Sequence, residues 1–249
     1  MSVVKNFINQ SKKGILDLIS GPVESVDLNI SNFLKSLAQN DPIASKFSFY
    51  SEEQLGTQLE TPLLLLDPID GTREFRAKIH ECCISLSLLK SFNLNDQENI
   101  HWIWNFFNND EILFFDKKFQ VNHFSPKNYH KKKKLLTFIS RVDYQKYNLA
   151  NFSHKSVQIE PVGSIAYKLA LMSSQQCDFI ISISNKHIWD IAAGTMLLSL
   201  TGSQFYIKNQ EQTVISEKLL QGPMYWLKDQ SHKSLVQDLI KEIQDRTTC

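Results

Sequence analysis

The sequence has 249 residues, of which 42% are hydrophobic and 21% are charged, and this composition excludes an intrinsically disordered chain. That length is enough to bury a sizeable core in one large domain or two smaller ones. The formal net charge of +1 provides no global field for nucleic acid or an anionic membrane, so the predicted partner is a small molecule.

The 4 cysteines show neither the spacing of metal ligands nor a disulfide framework, which favours reduced thiols and a cytoplasmic location. Residues 1–20 mix lysines among apolar positions at helical spacing, a pattern that differs from a secretory signal. Gly21 and Pro22 are typical of a helix end, and a second helix is predicted over residues 27–37. No apolar run is long enough to cross a bilayer.

The following segments predict strands separated by polar turns. The predicted strands cover residues 47–50, 61–66, 82–89, 100–107 and 111–115. An Asn-Asn-Asp sequence between the last two indicates a hairpin. Residues 67–72 are predicted to form a loop. These elements predict an α+β first half with an antiparallel sheet.

Residues 125–134 contain a proline and four consecutive lysines, and they are the predicted linker between an N-terminal half, residues 1–134, and a C-terminal half, residues 135–249. Beyond the linker, strands and helices alternate, which predicts an α/β second half. The predicted elements there are strands at 135–140 and 177–182 and helices at 163–173 and 188–200.

The segment from Asp67 to Thr72, with the sequence Asp-Pro-Ile-Asp-Gly-Thr, directly follows an apolar strand. Its two carboxylates can converge on one hard divalent cation if the chain bends between them, and the Ile69 carbonyl could supply another oxygen. Gly71 permits close backbone approach, so that its amide and that of Thr72 could face a phosphate. An Asp-Pro pair alone is more typical of a surface turn. The second Asp and the Thr are not required by such a turn, and they favour a binding site.

This segment resembles the signature of the inositol monophosphatase superfamily of magnesium-dependent, lithium-sensitive phosphatases. Ser51-Glu52-Glu53 resembles the upstream acidic motif of that family, and residues 189–194 resemble its downstream motif, which contributes the last metal carboxylate. Residues 163–166, Gly-Ser-Ile-Ala, resemble the segment near the substrate. The matches extend from about residue 27 to residue 202.

The resemblance implies a cofactor of two or three Mg²⁺ ions. Glu52, Asp67 and the carbonyl of Ile69 would hold one ion, and Asp67, Asp70 and Asp190 would hold a second. Glu52 would also contact a third, weakly held ion. Oxygen ligands of these types suit magnesium, and the sequence has no soft ligand cluster for zinc. Asp190 could also be only the N-cap of the following helix, and the two roles are compatible.

The same resemblance implies roles for the reaction and for substrate binding. Thr72, with Asp27 behind it, would orient and help deprotonate the attacking water, and Glu52 is the third predicted catalytic residue. The flank of Asp27 matches the family pattern only loosely. The predicted substrate contacts are Gly71, Thr72, Gly163 and Ser164.

The predicted function is hydrolysis of a small phosphorylated metabolite. Arg73 and Glu74 resemble the 3'(2'),5'-bisphosphate nucleotidase branch, whereas the inositol branch usually has a Thr-Asn pair there, and Glu81 favours the same branch. This favours 3'-phosphoadenosine 5'-phosphate as the substrate, hydrolysed to AMP and phosphate. The spacing within residues 163–171 is nearer the inositol type, so inositol monophosphate and sugar bisphosphates are the alternatives. A regulatory or binding protein that retains the fold without turnover is the non-enzyme alternative.

The resemblance also implies a fold and an assembly. The expected fold class is α/β, built as a layered α/β/α/β/α sandwich with an antiparallel sheet first and a smaller mixed sheet second. The metal site is expected between the two halves. Homodimers are common in this family.

Overall fold

A computed structural model describes residues 3–21, 25–54, 59–124 and 134–246. Within these ranges the described helices of more than one turn are α1 (Val3–Leu18), α2 (Val26–Asn40), α3 (Thr72–Arg76), α4 (Arg141–Lys146), α5 (Ile165–Ser173), α6 (Ile188–Ser199) and α7 (Lys233–Asp245). None of the helices described is both long enough and apolar enough to cross a membrane.

The first sheet contains six strands in chain order. They are β1 (Ser48–Ser51), β2 (Leu63–Asp70), β3 (Cys83–Leu89), β4 (Ile100–Asn105), β5 (Asp110–Phe115) and β6 (Lys118–Asn122). The pair β1–β2 is parallel, and every later pair in this sheet is antiparallel. The antiparallel character predicted for the first half therefore holds except at its first edge.

The strands described after residue 134 are β7 (Leu135–Ile139), β8 (Val157–Pro161), β9 (Phe179–Ser182), β10 (Lys186–His187), β11 (Gln204–Ile207), β12 (Gln210–Gln212), β13 (Leu219–Leu220) and β14 (Met224–Leu227). Six of them form a second, mixed sheet in the order β12-β11-β14-β9-β7-β8. The other two described strands, β10 and β13, form a small separate ribbon. The second sheet equals the first in strand number, and the expectation of a smaller second sheet holds only for the length of its strands.

The apolar side chains of each sheet alternate between two cores, as the period of two in a strand requires. Leu64 and Leu66 of β2 pack against α1 and α2, whereas Leu63 and Leu65 face the core that contains α5 and α6. On its other face the second sheet packs against α7. The layers thus follow the order α/β/α/β/α, which confirms the predicted fold class.

The segment at the end of β2 differs from the sequence prediction. Strand β2 continues through Asp70 because it remains paired with β3 up to that residue, and α3 follows it at once. The prediction of a loop over residues 67–72 was therefore wrong. Residues 125–133 of the predicted linker lie outside the described ranges, and the division into two halves stays a prediction. The core around α5 and α6 contains residues from both sheets.

Candidate functional site

Parallel pairing of β1 and β2 places Glu52 and Asp67 at the same end of the first sheet. Ser51 is paired with Leu66, and the Glu52 amide continues the ladder by donating to the Leu66 carbonyl at 3.2 Å. Glu52 and Asp67 therefore directly follow the paired residues Ser51 and Leu66. The Ser51 and Ser31 hydroxyls are 2.7 Å apart and share a buried hydrogen bond that ties this strand end to α2.

A β-bulge places Asp67 and Asp70 on the same face of β2. Residues three apart on a regular strand point to opposite faces. Here Asp67 is paired with Ser85 and Asp70 with Cys83, so three steps along β2 correspond to two along β3. Residues directly opposite each other share a face, and Cys83 faces the core with α5 and α6. Both carboxylates therefore point towards the second half of the chain.

Gly71 turns the chain from β2 into α3. Its φ of 93° lies in the left-handed region that favours glycine, and a Cβ there would lie 3.2 Å from the Glu81 carbonyl oxygen. The next residue, Thr72, donates its hydroxyl to the Ile69 carbonyl oxygen at 3.1 Å. The predicted catalytic hydroxyl and the predicted carbonyl ligand are thus in direct contact.

The turn before α5 binds the Asp70 carboxylate. The Ser164 hydroxyl donates to Asp70 Oδ2 at 2.6 Å, and the Ala166 amide donates to the same oxygen. Ser164 also caps α5 by accepting from the Tyr167 amide at 2.9 Å. Its φ is 50°, which is uncommon for a residue with a side chain. Ser164 therefore stabilises the start of α5 and also binds Asp70.

Lys168 holds that turn in place from within α5. Its ammonium group is buried and donates to the Val162 carbonyl at 3.0 Å and to the Ser164 carbonyl at 2.9 Å. The third carbonyl, of Gly163, lies at 3.5 Å. Burial lowers the pKa of Lys168 to about 8. The hydrogen bonds of this ammonium group are thus made to backbone carbonyls.

Asp190 reaches the site from the second half. It is the third residue of α6, and its Oδ2 accepts from the His187 amide at 2.9 Å. The carboxylate therefore caps the helix from inside its first turn, rather than from the N-cap position itself. The Ser85 hydroxyl of β3 donates to the Trp189 carbonyl at 3.2 Å, which ties α6 to the first sheet beside the bulge.

These elements enclose a cleft of about 280 Å³. Of the predicted site residues, those lining it are Glu52, Asp67, Ile69, Asp70, Gly71, Thr72, Gly163, Ser164 and Asp190. Asp27 is not among the lining residues and lies in the first turn of α2. Burial and the charge of Glu53 raise the pKa of Asp27 to about 6. No hydrogen bond between Thr72 and Asp27 is present among the described residues.

The carboxylates of the cleft destabilise one another's charged forms. Burial, followed by the charges of Asp27 and Asp70, raises the pKa of Glu52 from 4.5 to about 7. Burial and Asp70 raise that of Asp190 from 3.8 to about 7. Burial, Asp70 and Glu52 raise that of Asp67 well above its ordinary value. Asp67 Oδ1 is buried and has no hydrogen-bond partner in the described part of the chain. A divalent cation would remove this repulsion and bind that oxygen, so the donor set fits Mg²⁺.

The side chains do not form a ready-made coordination shell. In the described ranges, no three His, Cys, Asp or Glu side chains are arranged to hold a metal ion. The hydrogen bonds above account for part of this, because one oxygen of Asp70 and one of Asp190 are directed at backbone amides. We infer that a bound ion would draw the carboxylates together by side-chain rotation.

These pKa shifts predict how the stability of the metal-free protein depends on pH. The folded state binds protons more tightly than the unfolded state at Glu52 and Asp190, so their contribution is present below pH about 4 and is lost as pH rises through about 7. Thermal unfolding in a chelator should show this loss, and Asp190→Asn should reduce it. A melting temperature whose pH dependence is the same in both proteins would contradict the expectation.

Sequence reasoning missed three basic residues that also line the cleft, Arg141, Lys168 and Lys186. No local motif marks them, since each is brought to the cleft by the pairing of distant strands and helices. Gly163 was predicted as a substrate contact. A Cβ at this glycine would lie 2.3 Å from Glu74 Cγ, so it is also needed for the packing of Glu74.

Comparison with solved structures identifies proteins of the same fold. The extragenic suppressor protein suhB from Bartonella henselae is 17% identical with a TM-score of 0.65, and 100% of each chain is covered. Inositol monophosphatase from Anabaena (Nostoc) sp. PCC 7120 is 18% identical with a TM-score of 0.70, covering 96% of this chain and 97% of that one. Inositol monophosphatase II from Staphylococcus aureus MSSA476 is 14% identical with a TM-score of 0.71, covering 96% and 95%.

A comparison with curated protein sequences gives no match. A family model described as the inositol monophosphatase family matches residues 1–245, nearly the whole chain. Together with the layered fold and the structural similarities, this match shows that the protein belongs to the inositol monophosphatase family and has the phosphatase fold of that family.

Proposed function

We propose that this protein is a magnesium-dependent phosphomonoesterase that hydrolyses a small phosphorylated metabolite with water as the nucleophile. The observation that supports this most strongly is the cleft, which is lined by four carboxylates from both halves of the chain and in which a buried oxygen of Asp67 has no hydrogen-bond partner among the residues described. Such an arrangement is costly for the metal-free fold, and binding of divalent cations explains it.

The proposed ligands divide the cleft into two adjacent metal positions. Glu52, Asp67 and the Ile69 carbonyl belong to the first, and Asp67, Asp70 and Asp190 belong to the second. Glu52 is also the proposed contact of a third, weakly held ion. Ions bound there would supply Lewis acidity and positive charge for the attack of water on a phosphate ester.

The remaining proposed catalytic roles belong to residues of the chain itself. Because the Thr72 hydroxyl donates its proton to the Ile69 carbonyl, its oxygen is available to accept a hydrogen bond from water and so to orient it. Asp27 acts on the site through charge, since it raises the pKa of Glu52. Gly71, Gly163 and Ser164 line the cleft beside these groups as the proposed substrate contacts.

We propose 3'-phosphoadenosine 5'-phosphate as the substrate, with AMP and phosphate as products. The Arg73-Glu74 pair supports this assignment through its resemblance to the bisphosphate nucleotidase branch. Two related structures, of SaIMPase-II, have inositol monophosphate and 2'AMP bound. Inositol monophosphate and sugar bisphosphates therefore remain the alternative substrates, and a binding protein without turnover remains the non-enzyme alternative.

Phosphate release in the presence of Mg²⁺ tests this proposal. We expect faster release from 3'-phosphoadenosine 5'-phosphate than from inositol 1-phosphate or fructose 1,6-bisphosphate, and no release in excess chelator. Faster release from another substrate would contradict the nucleotidase assignment but would still support a phosphatase activity. Folded protein that binds Mg²⁺ and releases nothing would favour the binding protein. Lithium inhibition, homodimerisation and a cytoplasmic location stay predictions.

Removing the Ser164 hydroxyl should weaken the site without removing a proposed metal ligand. Ser164→Ala loses the hydrogen bond to Asp70 and the cap of α5, so we expect Mg²⁺ affinity or turnover to fall roughly 10- to 100-fold. The matched control is Ser174→Ala, at the other end of α5, because among the described residues the Ser174 hydroxyl bonds only to the Leu171 carbonyl of the same helix. Equal activity in the two variants would contradict the role of Ser164.

A further inference from the structure

The cleft is also lined by cations that the proposed metal chemistry does not use. We propose that Arg141 and Lys186 form a subsite for a second phosphate group on the substrate. This inference rests on the proposed function and adds to it, because it assigns the recognition of a bisphosphorylated substrate to two residues of the second half.

Arg141 is fixed at the cleft by a buried carboxylate. It is the first residue of α4, and its guanidinium group donates to Glu81. The Glu81 side chain is 11% exposed and also accepts from the Gly163 amide at 2.8 Å. The Arg141 side chain is 30% exposed and lines the cleft. Glu81 therefore orients this guanidinium from behind.

Arg141 retains donors for a ligand. A guanidinium group has five N–H donors, and the one hydrogen bond of Arg141 within the described ranges, to Glu81, uses one of its terminal nitrogens. A guanidinium group can bind phosphate through two parallel hydrogen bonds, which gives geometric selectivity. Because one edge is anchored on Glu81, the group loses little conformational freedom when it binds an anion.

Lys186 provides the second cation. It lies in β10, four residues before Asp190, and lines the same cleft. Its ammonium group makes neither a hydrogen bond nor an ion pair with the residues described. Lys168 differs in this respect, since three backbone carbonyls surround its ammonium group. Among the lysines that line the cleft, Lys186 is thus the one with donors available for a ligand.

Two interpretations of these cations lead to different expectations. If Lys186 only offset the negative charges of Asp70 and Asp190, its removal would affect every phosphate ester alike. If Arg141 and Lys186 bind a second phosphate, their removal weakens only ligands that have one. The anchored guanidinium favours the second interpretation, because it lines the cleft and charge balance alone does not require a group with further hydrogen-bond donors there.

The test compares the proposed substrate, 3'-phosphoadenosine 5'-phosphate, with adenosine 3'-monophosphate in the presence of Mg²⁺. For the wild type we expect a KM at least about tenfold lower for the bisphosphate, since a hydrogen bond to a charged group contributes on the order of tenfold in affinity. Lys186→Met and Arg141→Gln should each reduce this ratio roughly tenfold. Lys241→Met, which removes an exposed lysine on α7, should keep the wild-type ratio. Lys186→Met breaks no hydrogen bond that the structure shows, so it tests the subsite even if Arg141→Gln destabilises the fold.

A wild-type ratio near one, or equal weakening of both ligands in Lys186→Met, would overturn the subsite and leave the phosphatase proposal intact. If no phosphate is released from any ester, the proposed function fails, and calorimetric titration of the same two nucleotides still tests the subsite. The KM for fructose 1,6-bisphosphate shows whether the subsite binds the second phosphate of a sugar as well as that of a nucleotide. If Lys186→Met raises this KM too, the subsite serves bisphosphates in general. If only the KM for the nucleotide bisphosphate rises, the subsite is specific for nucleotides.

Discussion

Asp67→Asn is expected to lower magnesium-dependent phosphate release about 1,000-fold, equivalent to roughly 4 kcal/mol of transition-state stabilisation. Asp67 is the proposed ligand of both ions, and it lies at the end of β2 beside Glu52 and on the same face as Asp70. An amide keeps the shape of the side chain but removes the charge that the cations require. Steady-state rates at saturating Mg²⁺ measure the effect.

The matched control is Asp238→Asn, which removes a carboxylate from the exposed face of α7 and should keep the wild-type rate. Circular dichroism of each variant establishes that the fold is retained. A rate within tenfold of the wild type for folded Asp67→Asn would show that the reaction does not depend on this carboxylate, and the proposed metal positions would be wrong.

Asp67→Asn is also expected to stabilise the metal-free protein, raising its melting temperature by about 3–6 °C at pH 8. Burial and the charges of Asp70 and Glu52 oppose ionisation of Asp67, and Asp67 Oδ1 has no partner among the described residues. An amide removes one negative charge and adds donors towards the neighbouring carboxylates. Wild-type protein should instead gain stability from Mg²⁺, by about 2.7 kcal/mol at a hundredfold excess over Kd.

Differential scanning calorimetry with chelator and with Mg²⁺ distinguishes these expectations. We expect the order of stability to reverse, with Asp67→Asn more stable in chelator and the wild type more stable in Mg²⁺. If Asp67→Asn were less stable under both conditions, the carboxylate would be a stabilising part of the fold rather than a destabilising group retained for cation binding.

The sequence predicted the chemical groups of the site better than their arrangement. Asp67, Asp70, Glu52 and Asp190 were identified from local patterns, and all four line the cleft. The bulge was not foreseen, because residues three apart suit a loop and would face opposite sides of a regular strand. It follows from the pairing of β2 with β3, which is a long-range interaction.

Several elements were missed for different physical reasons. Strand β6 alternates polar and apolar residues over only five positions and is largely exposed on both faces, and α4 is too short for a helical period to be visible. Helix α7 did have a signal, since Val236, Leu239, Ile240 and Ile243 recur at helical spacing and are all buried. Arg141 and Lys186 could not be assigned from the sequence, because only tertiary folding brings them to the carboxylates.

Anomalous diffraction from crystals containing Mn²⁺ in place of Mg²⁺ tests directly whether the carboxylates of the cleft bind metal ions. We expect at least two anomalous peaks in the cleft, with oxygens of Glu52, Asp67, Asp70 and Asp190 at about 2.0–2.3 Å from the ions. We also expect the Asp190 carboxylate to rotate relative to its hydrogen bond with the His187 amide. Crystals that show ordered carboxylates in the cleft, no anomalous peak there and Mn²⁺ bound elsewhere would contradict metal binding by these carboxylates.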